Sequence, residues 1–131
     1  MQLNVTTDYA LRVVLHIMAK EDIATRSEIC DTMGIPPNSV PAITSVLKKA
    51  GIIGEVRGPH GGFQLEKNKN EITMQDVIDA FEKTTKINRC LENDAYCSRQ
   101  AAEFCEVRKY YEKMQDHFER CMQKKLIDFL D

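Results

Sequence analysis

Apolar residues recur every three or four positions in several stretches of this chain, and residues that stop helices lie between them. Ala10, Val13, Val14 and Ile17 fall at i, i+3, i+4 and i+7 and predict a helix over 7–19. Thr6 or Thr7 would cap it, and Asp8 stands where the helix dipole favours an acid. Thr25-Arg26-Ser27-Glu28 has the form of a capping box and opens a second helix across Ile29, Cys30 and Met33. Gly34 ends that helix, and Ile35-Pro36-Pro37 turns the chain. A third helix, capped by Asn38 or Ser39, runs to about Ala50 with Val40, Ile43, Val46 and Leu47 inward; Pro41 is tolerated in its first turn.

The period then changes. Residues 52–57 and 63–66 read as two strands joined by Gly58-Pro59-His60-Gly61-Gly62, a hairpin whose tip can approach another surface closely. Lys67–Glu71 is a polar linker, and Thr73 caps a fourth helix through Met74, Val77, Ile78 and Phe81. Residues 84–100 show no period. From about Gln100, one long helix is expected, with Phe104, Val107, Tyr111, Met114, Phe118 and Cys121 along a stripe. About 28 residues would reach roughly 42 Å, longer than the preceding domain is wide. Such a stripe needs a partner, and homodimerisation along those six residues is the inference.

Helix, glycine-containing turn and helix followed by a hairpin is the order of a winged helix-turn-helix. The expected fold is mainly α with a small β-hairpin wing and a long C-terminal dimerisation helix. Residues 1–83 would form the DNA-binding domain, 84–103 a cysteine-containing loop and 104–131 the dimerisation helix.

Composition neither requires nor forbids a nucleic-acid partner. The 131 residues suit one compact domain with an oligomerisation arm, and the formal net charge is −2. Across 38–62, Lys48, Lys49 and Arg57 face only Glu55, a small local surplus able to meet a duplex with modest, salt-sensitive affinity. No membrane span is predicted. Met1-Gln2-Leu3-Asn4 lacks the basic and then apolar run of a signal peptide, so a cytoplasmic location is expected. There is no nucleophile–base pair, phosphate loop or H-E-x-x-H, so the chain is not expected to be an enzyme.

Reduced thiols are the expectation for the five cysteines. Cys30 and Cys121 fall on apolar faces and read as small hydrophobic residues, and His16 and His117 are not expected to bind metal. Cys90, Cys97 and Cys105 lie in the aperiodic region with wide, mostly polar gaps. Structural zinc prefers close pairs; wider spacing in a loop better suits an iron–sulfur cluster, with a fourth ligand from elsewhere. A metal site, reactive thiols and incidental cysteines all remain open on spacing alone.

Asp8-Tyr9-Ala10-Leu11-Arg12, the stretch from Leu47 to Ile52, RGPHGGF from Arg57 to Phe63, ITMQDVIDAFE from Ile72 to Glu82, and three cysteines before a long helix occur together in order. With them the chain resembles the Rrf-two family of bacterial winged helix-turn-helix regulators, which includes IscR- and NsrR-like iron–sulfur sensors. The resemblance implies a homodimeric DNA-binding repressor or activator whose third helix reads the major groove and whose wing tracks the minor groove of promoter DNA. It places Asn38, Ser39, Ala42 and Ser45 on the reading helix and Arg57, Gly58, Pro59, His60 and Gly61 at the wing. Arg57 is the leading contact, and His60 stands where glycine is common. Pro41 and Ala42 replace polar readers of some members, which shifts weight to DNA shape.

The resemblance further implies that Cys90, Cys97 and Cys105 hold an iron–sulfur cluster, although both gaps exceed the usual five. A histidine that completes the site in one branch is Arg108 here. In another branch an aspartate of the other subunit's first helix ligates [4Fe–4S]; Asp8 matches it, so [4Fe–4S] is favoured over [2Fe–2S]. Loss of that link to nitric oxide, oxygen or iron shortage would release DNA. The alternative is a cluster-free regulator of the same fold, controlled by thiol oxidation or a partner protein.

Overall fold

The computed structural model describes residues 1–130. Five helices and one two-stranded hairpin follow one another as α1 (Val5–Lys20), α2 (Arg26–Met33), α3 (Val40–Lys49), β1 (Ile53–Val56), β2 (Gly62–Leu65), α4 (Met74–Phe81) and α5 (Glu106–Met122). Short 3-10 turns at Pro37–Ser39, Arg89–Leu91 and Leu126–Phe129 complete the path. α1 begins two residues before its expected start. Asn4 stands at its cap without a side-chain cap bond, and its peptide N–H instead donates to Glu82 at 2.7 Å.

Local chemistry explains the helix-turn-helix. Thr25 Oγ1 accepts from the Glu28 amide and the Glu28 carboxylate accepts from the Thr25 amide, satisfying two orphan donors at the start of α2. The Gly34 amide returns to the Cys30 carbonyl to close the other end. Pro37–Ser39 form a 3-10 turn before α3, so Asn38 and Ser39 lie in that turn rather than in the helix proper, and Pro41 sits harmlessly in the first helical turn.

The core lies where α1, α3 and the hairpin meet. Ala10, Val13 and Val14 of α1, Ile29 of α2, Ile43 and Leu47 of α3, and Ile53 of β1 are all buried. β1 pairs antiparallel with β2, Ile53 opposite Leu65 and Val56 opposite Gly62. Ala24 bridges to β2 through two 2.8 Å bonds with Phe63, in effect extending the sheet back to the segment between α1 and α2. Gly62 permits this closeness: a Cβ there would stand 2.4 Å from the Ala24 carbonyl oxygen.

The single long C-terminal helix is corrected. α5 has 17 residues, about 26 Å, against the 28 expected. Its start is set by Cys105, whose sulfur accepts from the Arg108 amide, and Phe104 lies in the turn before it. After Met122 the chain turns back onto the winged domain instead of continuing outward. The Met74 amide donates to Lys124 O and the Leu126 amide to Ile72 O, each at 2.9 Å, and Leu126 is fully buried in the core. The apolar spacing across 104–130 therefore serves two surfaces, which a single stripe cannot distinguish.

α5 is also held along its length. Gln115 is buried; its side-chain oxygen accepts from the Ile87 amide at 2.8 Å and its nitrogen donates to Thr85 O at 3.0 Å. The segment after α4 is thereby fastened to the middle of α5. Replacing Leu126 with Ala should destabilise the fold by about 2–5 kcal/mol. It should also expose the Met74 and Leu126 amides to hydrogen exchange ahead of those of α1; uniform exchange across both regions would show that the C-terminal return is not a separate unit.

Candidate nucleic-acid interface and thiol cavity

α3 and the hairpin border an open groove of about 510 Å³ whose lining includes Arg26, Pro41, Thr44, Lys48 and Arg57, with Gly58 and Gly61 at the wing. Arg26 Nη2 donates to the Pro37 carbonyl at 2.7 Å and so braces the turn between α2 and α3. Lys48 Nζ lies 2.7 Å from Glu55 Oε1, joining the end of α3 to β1. The hydrogen bond from Lys48, and then its charge, hold the Glu55 carboxyl below the usual carboxylate range; Arg57 adds to this, while desolvation opposes it. Three cations thus border the groove with one carboxylate among them. At the wing tip the Gly61 amide donates to Gly58 O at 3.0 Å, and a Cβ on Gly61 would stand 2.1 Å from the Val56 carbonyl oxygen, so the turn admits no side chain there.

The residues expected at this face divide. Arg57, Gly58 and Gly61 line the groove, whereas Asn38 and Ala42 are exposed beside it and Ser39 and Ser45 are half-buried. Pro59 and His60 are exposed at the tip. Arg26 and Thr44 line the groove without having been expected there, and Lys48, expected as part of the local charge surplus, lines it too. Arg26 is hidden from a pattern reading because it occupies the middle of a capping box, where attention falls on Thr25 and Glu28.

Cys90, Cys97 and Cys105 all line one mostly apolar cavity of about 270 Å³, with Asn88, Arg108 and Tyr111 among its other walls. Cys90 is buried; the other two are half-buried. N–H groups surround the sulfurs. Asn88 Nδ2 is 3.2 Å from Cys90 Sγ, and the Arg108 amide is 3.4 Å from Cys105 Sγ. Backbone N–H groups of Ala101, Arg99 and Gln100 hold the Cys97 thiol below its ordinary pKa, against a smaller opposing effect of desolvation. Arg108 staples the cavity: its side chain donates to Cys90 O at 3.2 Å, to Ala102 O at 3.4 Å and to Glu112 at 2.9 Å. A guanidinium offers donors only and cannot itself ligate a metal. Arg89 and Asp94 close the loop between the first two cysteines; that pairing holds the Asp94 carboxyl at about 2.

This donor set fits three ligands of a thiolate-held cluster, since the three sulfurs line one pocket and N–H donors stand beside them. A single metal ion is a poorer match, because no three His, Cys, Asp or Glu side chains among the described residues converge closely enough to hold one. Asp8 does not line the cavity. It is exposed on α1, 2.7 Å from Arg12 Nη2, while Arg12 Nη1 donates to the Met33 carbonyl at 3.1 Å and its guanidinium lies 5.2 Å from the Tyr9 ring centroid. Asp8 is thus connected through one arginine to the end of α2.

The expected dimerisation stripe also divides. Phe104, Val107 and Met114 are exposed, as is Tyr110, which the stripe omitted. Tyr111 instead turns inward to the thiol cavity, and Phe118 is half-buried. Cys121 is exposed, with His117 Nε2 at 3.8 Å from its sulfur. The helical turn of 100° per residue separates the exposed Tyr110 from Tyr111, which lines the cavity.

Residues 3–130 match the profile of a family described as iron-dependent transcriptional regulators. The chain belongs to the Rrf2 family. A relative in Aquifex aeolicus (strain VF5), named as an HTH-type transcriptional regulator, is 31% identical over 128 residues, covering 94% of this chain and 89% of its own. Among solved structures, CymR of B. subtilis, titled the global cysteine regulator, superimposes with a TM-score of 0.82 at 20% identity, covering 99% of this chain and 96% of that one. The IscR of T. potens does so with a TM-score of 0.77 at 20% identity, covering 99% and 86%. Both likenesses bear on the fold. This Rrf2 protein is therefore a transcriptional regulator with the winged helix fold, and not an enzyme. None of its described helices is long and apolar enough to cross a membrane.

In this Rrf2 regulator, Arg108 is the residue whose role the cysteine spacing could not reveal, since its partners are carbonyls remote in sequence. Arg108→Ala should speed reaction of the buried Cys90 thiol with an aromatic disulfide in native buffer, relative to Arg108→Lys. Equal rates in both variants and the parent would show that the staple does not hold the cavity shut.

Proposed function

We propose that this Rrf2 regulator works in the bacterial cytoplasm as a homodimer that binds promoter DNA, acting as a repressor whose affinity is gated by a thiolate-held iron–sulfur cluster. α3 and the wing would meet successive grooves of the duplex, with Arg57, Arg26 and Lys48 neutralising phosphates. Asn38, Ser39, Ala42 and Ser45 would supply the reading face, and Gly58, Pro59, His60 and Gly61 the close approach of the wing. The exposed stripe of Phe104, Val107, Tyr110 and Met114, continued by Phe118 and Cys121, would pair with that of a second copy and set the half-site spacing.

The observation that supports the gate is that Cys90, Cys97 and Cys105 line one cavity, with N–H donors beside their sulfurs. These three would be the ligands from one chain and Asp8 of a second copy the fourth, with [4Fe–4S] favoured. When bound, such a cluster would offer nitric oxide, oxygen or iron loss an iron whose carboxylate ligand exchanges more readily than thiolate. The chain's own part is the relay. In the isolated chain Asp8 holds Arg12, and Arg12 holds the Met33 carbonyl at the end of α2. Engaging Asp8 elsewhere leaves Arg12 free to commit to Met33 or Tyr9, which biases the helix that carries α3. A coupling of about 1–3 kcal/mol would change DNA affinity about five- to 150-fold.

A second reading keeps the fold and removes the cluster. Cys97 is half-buried, shares its cavity with two other thiols and is shifted toward thiolate, the properties of an oxidation-sensitive cysteine. Purification without oxygen separates the two readings. Brown protein with bound iron and sulfide, whose DNA affinity falls on exposure to nitric oxide, is expected for the first. Colourless protein that forms a disulfide with peroxide would leave only the second. Asp8→Ala should preserve the dimer while making the cluster less stable.

Groove electrostatics yield a separate expectation. Glu55→Gln should raise affinity for non-cognate duplex more than for the operator, because it frees Lys48 without adding a base contact. Arg57→Ala should weaken both and reduce the dependence on salt by about one ion. Gel shifts across a salt series measure both effects; an unchanged slope in Arg57→Ala would remove Arg57 from the interface.

A further inference from the structure

The tip of the wing carries a titratable side chain that its backbone does not demand. The Gly61 amide donates to Gly58 O at 3.0 Å, so Pro59 and His60 take the two central positions of a four-residue turn, and both are exposed. Gly58 has a φ of 111° and Gly61 has no room for a Cβ, but His60 is not among the residues with left-handed backbone. The turn therefore accepts many residues at this position, and folding does not require an imidazole there.

The glycines on either side leave the tip narrow. A helix needs the major groove, about 12 Å wide; with α3 there, the hairpin beside it reaches the neighbouring minor groove, about 6 Å wide. In that groove A·T pairs present acceptors only, whereas guanine adds an amino donor. An imidazolium carries a donor on each ring nitrogen and no acceptor, so it matches A·T edges and is opposed by guanine. A·T runs also narrow the minor groove and deepen its negative potential, which favours the charged ring over the neutral one. The charged groups bordering the groove behind the wing are Arg57 on the hairpin, Glu55 paired with Lys48, and Arg26 from α2. Among the described residues of that groove, Glu55 is the one carboxylate, and Lys48 already engages it.

We propose that His60 enters an A·T-rich minor groove as the imidazolium, so that DNA binding takes up one proton at each wing; this rests on the DNA-binding reading given above. The proton comes from solvent and stays on the ring while the duplex is bound. A histidine side chain in water titrates near pH 6.5, so affinity rises as pH falls toward that value. On a face with few free cations, one further charge at each tip is a large part of the attraction. The effect is separate from the cysteine cavity and operates whether or not a cluster is bound.

Full-length protein purified without oxygen would select duplexes from a random pool of about 30 base pairs, and fluorescence anisotropy would follow affinity for the best of them between about pH 6 and about pH 8. Selected sites should carry A·T runs flanking the base pairs that α3 reads. Affinity should rise about fivefold per wing as pH falls across that range. His60→Gln should flatten the profile at the weaker level. His60→Lys should flatten it at the stronger level, a gain at the higher pH that misfolding does not produce. Replacing the A·T runs by G·C should flatten the profile of the parent protein as well. A profile as steep in His60→Gln as in the parent, or one indifferent to the flanking base pairs, would overturn the assignment. Failure to select any duplex would remove the DNA-binding reading itself, whereas selection without proton uptake removes only the role of His60.

Discussion

Two backbone hydrogen bonds, from the Leu126 amide to Ile72 O and from the Met74 amide to Lys124 O, close the chain on itself and make α5 part of the winged domain. Burial of Leu126 in the shared core gives that closure its strength, because the peptide bonds contribute little net stability unless water is kept from them. Gln115 fastens the middle of α5 to the segment after α4, and Arg108 fastens its start to Cys90 O. With three attachments over about 26 Å, α5 has little freedom to swing as an independent arm. A displacement at the cysteine cavity must move the winged domain or break one of these links.

That constraint gives the thiol cavity its position of influence. Arg108 touches the carbonyls of Cys90 and Ala102 from the first turns of α5, and its peptide N–H caps onto Cys105. One residue therefore reports the arrangement of the loop to the helix. Its charge is partly met by Glu112 one turn further on, so Arg108 remains in place without a carboxylate in the cavity itself. The cavity wall stays mostly apolar, which raises the cost of an unpaired thiolate and makes the ring of N–H donors decisive.

The winged helix was legible in the sequence because its signals are local. Thr25 with Glu28, Thr73 with Asp76, and the glycines around the hairpin each fix a boundary within a few residues of themselves. What escaped notice depended on contacts distant in sequence. The return of Leu126 to Ile72 spans more than fifty residues and looks, in one dimension, like continued helix. Tyr110 and Tyr111 are equally apolar, and only the placement of α5 against the cysteine loop decides which is covered. The cysteines were recognised as a group, whereas the N–H donors beside their sulfurs come mainly from backbone, which carries no side-chain signature.

A regulator with net charge −2 has little electrostatic attraction for DNA to spare. Its groove spends one of its few cations on Glu55, so the free field at the recognition face is weak. Non-specific binding then falls further than specific binding, since base contacts and groove shape survive partial neutralisation while counterion release does not. Weak attraction also makes a small switch sufficient. On the proposed reading, bound and free states that differ by only a few kcal/mol could be rebalanced by a change at Asp8, Arg12 and the Met33 carbonyl. The modest charge of this face and the proposed relay would then belong together, because a strongly basic reading head would hold DNA through any rearrangement that a single arginine could impose.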